Sequence, residues 1–137
     1  MMKRISILEP GTIIGANYAG YKKNEDGTIV PDSRSGVFLV LYDQQLDNSN
    51  IYTRNIRVCK CTTDLKLCDN YTVALKDGRN DFLDKDCFAL CSCVMTLHKD
   101  QVYNTEIGRI DPVTLKKVYL KTVDANFAVE KQLGGYI

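Results

Sequence analysis

The sequence predicts a mainly β domain of the α+β class, in which a small, strongly bent antiparallel β-barrel is followed by one C-terminal helix. Strand-length apolar or alternating segments occupy the chain as far as Ile110. A helical pattern begins only at Asp111 and Pro112, after the last of these segments. Because the strands come first and the helix last, the sheet is expected to be antiparallel, and closure into a barrel would leave it no exposed edges.

The predicted strands are separated by polar or glycine-containing connections. They span residues 11–18, 36–42, 51–61, 71–75 and 87–97, with a further extended piece over 107–110. The run GVFLVLY at 36–42 is continuously apolar and is expected to be a buried central strand, and 87–97 is the longest strand candidate, with both faces buried. The polar segment 19–34 is expected to form a long loop or an irregular hairpin tip.

The C-terminal helix is predicted from its start signal and its periodicity. Asp111 is the expected N-cap and Pro112 the first helical residue. Residues at three- and four-residue spacing follow and predict the buried face: Val113, Leu115, Val118, Tyr119, Thr122, Val123 and Phe127.

The stretch 55–63, NIRVCKCTT, has the alternation of a strand and ends in two hydroxyl side chains. The alternation divides its side chains between two faces, with Ile56, Val58 and Lys60 on one and Arg57, Cys59 and Cys61 on the other. Thr62 and Thr63 then follow where the strand ends, which is typical either of a catalytic position or of a simple turn.

Length and charge restrict the class of protein. A chain of 137 residues indicates one domain, here 1–137. Its 18 basic and 17 acidic residues give a net charge of +1, which argues against a histone-like nucleic-acid binder but allows a local basic patch. The first apolar run is broken by Glu9 and Pro10, and no run reaches the ~18 apolar residues of a membrane span, so a soluble cytoplasmic protein without membrane contact is expected.

Six cysteines and one histidine limit the possible chemistry. Without a secretion signal, free thiols are favoured over disulfides. The pairs Cys59/Cys61 and Cys91/Cys93 allow a metal site, but their one-residue spacing is unusual for zinc and also suits small residues filling a barrel, so no metal site is assigned. Because His98 is the only histidine, a two-histidine ribonuclease mechanism within one subunit is excluded, and a turn or interface position is expected for it.

The order of these elements resembles the MazF/PemK family of toxin endoribonucleases over about residues 9–127. A strand opening at Gly11 precedes a polar segment ending in Arg34, and the strand GVFLVL follows. Then come a strand ending CTT at residues 61–63, a strand with YTVAL, a strand ending VMTL, the segment IGRI and a helix.

The resemblance implies an SH3-like barrel of the PemK/MazF type and a sequence-specific endoribonuclease. Such an enzyme cleaves single-stranded RNA, mRNA in particular, by attack of the substrate's own 2′-OH, without metal or cofactor. It also implies a homodimer, a cognate antitoxin that inhibits it, and a role in growth inhibition.

Residue by residue, the resemblance places Arg34 and Thr62 at the catalytic positions. Arginine suits a phosphate because its planar fork donates to two oxygens, and a threonine hydroxyl can donate to the same group. The alternative for Arg34 is a solvated loop charge. The alternative for Thr62 is a hydroxyl that bonds local backbone.

Further substrate contacts are expected around this pair. The candidates are Lys22, Lys23 and Thr63, Thr96 in the later family motif, and Tyr18 and Tyr21 as stacking partners for unpaired bases. Surface charge and partial core are the alternatives for the lysines and tyrosines. The sequence departs from the family pattern at Ser35, Cys93 and Met95, so a catalytically degenerate barrel that binds RNA or protein remains the second interpretation.

Overall fold

The computed structural model of the protein describes residues 6–46, 54–75 and 87–132. It contains a six-stranded antiparallel sheet and one α-helix. The strands are β1 (Thr12–Lys23), β2 (Ile29–Asp43), β3 (Asn55–Thr62), β4 (Thr72–Ala74), β5 (Phe88–His98) and β6 (Val102–Arg109), and the helix is α1 (Pro112–Gln132). Three short 3₁₀ helices connect them at Gln44–Leu46, Leu65–Leu67 and Lys99–Gln101.

The sheet is a strongly curled half-barrel with the strand order β4-β5-β3-β2-β1-β6. Register shifts interrupt the pairing of β2 with β3, β3 with β5 and β1 with β6, and such bulges increase the local twist that curls a sheet. The predicted fold class is confirmed, and the run 36–42 lies in β2, near the centre of the sheet. Full closure of the barrel was a wrong expectation, because in the described residues β4 and β6 stand at opposite edges.

Apolar side chains form two cores, one on each face of the sheet. The helix-side core contains Ile13, Leu39 and Val118 together with four cysteines, Cys59, Cys61, Cys87 and Cys91. The second core contains Leu8, Ile14, Ala16, Phe38, Val40, Ile56, Val58, Leu97 and Val102. Consecutive residues of β1, β2 and β3 therefore alternate between the two cores, as a sheet covered on both faces requires.

Segment 19–34 is not a loop but the outer half of a regular β-hairpin. β1 and β2 stay in register from Ile13↔Leu39 to Lys23↔Ile29. The turn is short: Asn24 N donates to the Thr28 carbonyl at 2.8 Å, and Gly27 has φ +88°. Gly27 suits this position because a positive φ costs glycine little.

Two other sequence expectations need correction, and two concern residues that the structure does not describe. β2, with 15 residues, is longer than β5, with 11, and on β5 the side chains of Ser92 and Thr96 are exposed rather than buried. Residues 51–53 of the predicted strand 51–61 and the side chain of Phe127 lie outside the described residues.

The helix begins where the sequence predicted and buries part of the predicted face. Val118 and Thr122 are buried and Leu115 packs against the helix-side core, as predicted, but Val113 and Val123 are half exposed. Thr114, which was not predicted, is also buried, so the predicted set was partly wrong. No helix in the described part of the chain is long and apolar enough to cross a membrane.

Replacing Asp111 with Ala should destabilise the protein, because it removes the N-cap of this helix. The Thr114 amide donates to Asp111 Oδ1 at 2.7 Å, and losing such an N-cap typically costs about 1 kcal/mol. The change is measured as the free energy of unfolding in urea. Asp111→Ser, which keeps a capping oxygen, should retain most of the stability, and equal losses in the two variants would contradict the capping role.

Candidate functional site

Arg34 and Thr62 lie on the same face of the sheet, beyond the rim of the second core. On β2, Arg34 is four residues from Phe38, which belongs to that core, so the two side chains lie on one face. On β3, Thr62 is likewise four residues from Val58 of the same core. The last β2–β3 pair is Val37↔Cys61, so the next step of the register sets Thr62 beside Gly36. Since Gly36 is two residues from Arg34, the Cα atoms of Arg34 and Thr62 are separated by about 8 Å from strand spacings alone.

Three further members of this face lie between or beside these two residues. By the same alternation they are Tyr18 on β1, Gly36 on β2 and Lys60 on β3. We call the set Tyr18, Arg34, Gly36, Lys60 and Thr62 the open face. It combines two cations and two hydroxyls at the margin of an apolar core.

The guanidinium of Arg34 is exposed and is held by β1. Its Nη2 donates to the Tyr21 carbonyl at 2.6 Å. Its stem lies against Gly20, where a Cβ would come within 3.0 Å of Arg34 Cδ. An arginine has five N–H donors, so one bond to the backbone leaves a fork free to bind an anion.

The hydroxyl of Thr62 bonds local backbone, as the second interpretation of this residue predicted. Thr62 Oγ1 accepts from the Asp64 amide at 3.0 Å, and Asp64 in turn caps the 3₁₀ helix Leu65–Leu67. As an acceptor in this bond, the Thr62 oxygen keeps its own proton available to donate elsewhere. The local turn therefore fixes the hydroxyl without using its donor.

Lys60 is the functional candidate that sequence reasoning missed. Its Nζ donates to the Tyr18 hydroxyl at 2.7 Å and lies 4.7 Å from the centroid of the Tyr18 ring. The Tyr18 ring meets Phe38 edge to face, with centroids 5.5 Å apart. The sequence did contain a sign of this role, because Lys60 is a charged residue on the face of β3 whose preceding members, Ile56 and Val58, are apolar.

Gly36 gives the Tyr18 ring room to lie across β2. A Cβ at residue 36 would come within 3.1 Å of Tyr18 Cε1 and 3.3 Å of Phe38 Cε2. Those contacts are tighter than ordinary packing. The absence of a side chain thus allows a tyrosine on β1 to reach a lysine on β3.

The other predicted substrate-contacting residues lie at varying distances from the open face. Lys22 and Lys23 are exposed near the tip of the hairpin, paired with Val30 and Ile29. Tyr21 is 68% exposed, but alternation directs its side chain away from Tyr18. Thr63 is exposed immediately after β3.

Thr96 is not brought together with Thr62. It is paired with Arg57, whose Nη1 donates to Thr96 Oγ1 at 3.3 Å. Arg57 is five residues from Thr62 along β3, or about 16 Å at the rise of a strand. Alternation also places Arg57 and Thr62 on opposite faces of the sheet.

Two of the three departures from the family pattern, Ser35 and Met95, have structural contacts. Met95 packs against the second core opposite Val58, and Cys93 is half buried. The Ser35 hydroxyl forms a hydrogen bond with the Tyr103 hydroxyl, and Tyr103 lies against Gly15. Met95 therefore fills core space rather than extending the open face.

Four of the six cysteines, Cys59, Cys61, Cys87 and Cys91, pack as core side chains. Cys59 and Cys91 are fully buried in the helix-side core, and all six thiols are free. The pKa of Cys59 is raised mainly by a hydrogen bond with the Cys91 sulfur and, to a smaller extent, by burial. The pKa of Cys61 is raised in the same way by a hydrogen bond with Cys87 and by burial. Within residues 6–46, 54–75 and 87–132, no group of three or more histidine, cysteine, aspartate or glutamate side chains that could hold a metal ion occurs.

His98 has the turn position that the sequence predicted. Its Nδ1 accepts from the Asp100 amide at 3.1 Å, and its own amide donates to the Gln101 side chain at 2.8 Å. Together these bonds form a capping box at the start of the 3₁₀ helix Lys99–Gln101. The imidazole is thus used to end β5.

A groove adjoins Tyr18 along the hairpin. Its volume is about 430 Å³, and it is lined by residues 17–20, residues 31–33 and Gln101. Gln101 Nε2 donates to the Asn17 carbonyl at 3.1 Å, which ties the groove to the end of β5. An extended polymer bound at Tyr18 would find further concave surface here.

Comparison with solved structures identifies chains of the same architecture. A mycobacterial endoribonuclease, solved with its cognate antitoxin, has a TM-score of 0.60 at 15% identity, covering 88% of this chain and 95% of that chain. MazF from Deinococcus radiodurans has a TM-score of 0.57 at 15% identity, covering 95% of this chain and 99% of that chain. The MazE–MazF complex of D. radiodurans gives 0.56 at 13% identity, covering 88% and 95%. No family model and no curated protein sequence matches the chain.

Proposed function

Because this chain has the MazF/PemK-like fold, we propose that it is an endoribonuclease that cleaves single-stranded RNA at the open face. The observation that carries the proposal is the placement of Arg34 and Thr62. Two separate strands deliver an exposed arginine fork and a fixed hydroxyl to one face, with the small residue Gly36 between them. Messenger RNA, read at particular base sequences, is the proposed substrate, and the cytoplasm is the proposed location.

The proposed reaction uses the substrate's own 2′-oxygen as nucleophile. This oxygen loses its proton to water and attacks the adjacent phosphorus, and the bond from phosphorus to the 5′-oxygen of the next nucleotide breaks as that oxygen takes a proton from water. The products are a 2′,3′-cyclic phosphate and a 5′-hydroxyl. Arg34 donates to the phosphoryl oxygens as negative charge accumulates, and Thr62 donates to the same group. No step requires a metal ion.

An antitoxin protein and a homodimer belong to the same proposal. One of the similar structures is an endoribonuclease in complex with its cognate antitoxin, and another is a MazE–MazF structure. A protein segment bound along the open face would cover Arg34 and Tyr18 and thereby block RNA. Regulation by a cognate antitoxin would make the chain a toxin whose release stops growth.

Replacing Thr62 with Ala should lower the rate of RNA cleavage by about 10²-fold, because one donor to the developing charge is lost. Stability should change little, because Thr62 is at the end of β3 and only half buried. Cleavage of a mixed-sequence single-stranded RNA is followed in the presence of a chelator.

The matched control is Thr62→Ser, which keeps the hydroxyl and should retain most activity. Ser92→Ala removes an exposed hydroxyl elsewhere, on β5, and should have no effect. Unchanged cleavage by Thr62→Ala would remove Thr62 from the site.

A non-catalytic barrel that binds RNA or protein is the second candidate. Met95 favours it, because this position packs into the core where the family pattern has a polar motif. Retention of RNA by a wild-type protein that does not cleave it would select this alternative.

A further inference from the structure

We propose that Lys60 is the second phosphate-binding cation of the open face, contacting the phosphate that Arg34 and Thr62 bind. The inference rests on the proposed function and extends it to a residue outside the family motifs. Its basis is the position of the Lys60 ammonium, which Tyr18 fixes through both its hydroxyl and its ring.

The Lys60 side chain is ordered in a place where a lysine is costly. It is half buried and continues the apolar face of Ile56 and Val58. A surface lysine normally extends its ammonium into water and samples many rotamers. Here a hydrogen bond of 2.7 Å and a cation–π contact of 4.7 Å hold the ammonium at one point.

The position of Tyr18, which contacts Lys60, is set by Phe38 and Gly36. Phe38 contacts its ring at an interplanar angle of 84°, and Gly36 leaves the space across which the ring extends. The Lys60 charge is therefore positioned before any ligand arrives. Such preorganised charge is the arrangement that stabilises a transition state most effectively.

Charge balance supports two cations rather than one. A phosphodiester carries one negative charge, and attack by the deprotonated 2′-oxygen raises the charge on the transition state toward two. Arg34 supplies one positive charge, and Lys60 supplies the second. An ammonium has three N–H donors, so the bond to Tyr18 leaves two for phosphoryl oxygens. Among the described residues, no carboxylate forms an ion pair with Lys60.

Tyr18 becomes a positioning residue in this account. The Lys60 ammonium lies 2.7 Å from the Tyr18 hydroxyl and 4.7 Å from the ring centroid, so Tyr18 contacts the charged end of Lys60 directly. Tyr18 should therefore act on catalysis mainly through Lys60. The effects of substituting the two residues should then not add, whereas a purely structural role of Tyr18 would give additive effects.

The test measures kcat and KM for single-stranded RNA with five variants and the wild type. Lys60→Met keeps the apolar stem and should lower kcat by about 10²-fold, and Lys60→Arg should recover most of that loss. Tyr18→Phe removes the hydroxyl and should lower kcat about tenfold. The double variant Lys60→Met/Tyr18→Phe should be no slower than Lys60→Met, because Tyr18 acts through the ammonium. Lys116→Met removes an exposed charge from α1 and should match the wild type.

RNA binding separates failure of this inference from failure of the proposed function. With a 2′-deoxy strand that cannot react, Lys60→Met should lower the slope of log affinity against log salt by about 0.7, the value for one lost contact to a single strand. Unchanged kcat in Lys60→Met beside an active wild type overturns the role of Lys60 but leaves the endoribonuclease proposal intact. An inactive wild type overturns the endoribonuclease proposal, and the salt slope then decides whether Lys60 binds phosphate.

Discussion

Replacing Arg34 with Ala is expected to lower kcat for RNA cleavage by about 10³-fold, the largest effect among the site variants. Arg34 offers the only arginine fork on the open face, and two-oxygen contact with a phosphate is lost when it is removed. Its side chain is exposed, so the free energy of unfolding should stay within about 0.5 kcal/mol of the wild type. Single-turnover cleavage in chelator measures the rate, and urea titration measures the stability.

Two control variants make the Arg34 result specific. Arg34→Lys keeps the charge but loses the fork and should recover only part of the rate. Arg109→Ala removes a cation on β6 that pairs with Glu9 at the surface, and it should leave the rate unchanged. A similar fall in both alanine variants would show a general effect of charge on RNA attraction rather than a site.

Replacing Lys99 with Met is expected to cost about 3–5 kcal/mol of the free energy of unfolding, because it leaves a buried carboxylate without its cation. Lys99 Nζ lies 2.7 Å from Asp43 Oδ2, and both side chains are fully buried. Asp43 also accepts from the Leu8 amide at 2.8 Å and from the Gln45 amide at 3.0 Å. This pair thus ties the N-terminal segment and a 3₁₀ helix to the end of β5, and its loss should loosen all of them.

The double variant Lys99→Met/Asp43→Leu distinguishes an unpaired charge from a simple packing defect. It should recover part of the loss, because no isolated charge remains buried. Lys116→Met, an exposed lysine on α1, is the matched control and should change stability by less than about 0.5 kcal/mol. A loss below about 1 kcal/mol for Lys99→Met would contradict the account.

The elements predicted correctly are those in which burial imposes a pattern on the residues. β2 and β3 were predicted from apolar and alternating runs, and α1 from an aspartate followed by proline. The outer hairpin was predicted only as an irregular tip or a loop, because its strands leave the core, so polar side chains occupy both faces and the alternation disappears. Its turn still had a local signal, since Asp26 Oδ1 accepts from the Thr28 amide at 2.9 Å beside Gly27.

The candidate site was predicted in part. Order along the chain and the family resemblance pointed to Arg34 and Thr62, and the pairing of strands brings them to one face. Lys60 was missed because the motif ends at Thr62 and does not include it. Its contact with Tyr18 depends on a tyrosine reaching across β2 over Gly36, which no local pattern in the sequence encodes. Thr96 shows the reverse case, because a motif position that looks equivalent lies on the other face of the sheet.

The chemistry of the product ends tests most directly whether a 2′-oxygen attacks a phosphate held at the open face. A single-stranded RNA is incubated with the wild-type protein in chelator, and the fragments are analysed by mass spectrometry. Attack by the 2′-oxygen should give 2′,3′-cyclic phosphate and 5′-hydroxyl ends, with no cleavage where the 2′-OH at the scissile nucleotide is replaced by hydrogen. Fragments ending in 3′-hydroxyl and 5′-phosphate, or cleavage of the 2′-deoxy site, would contradict it.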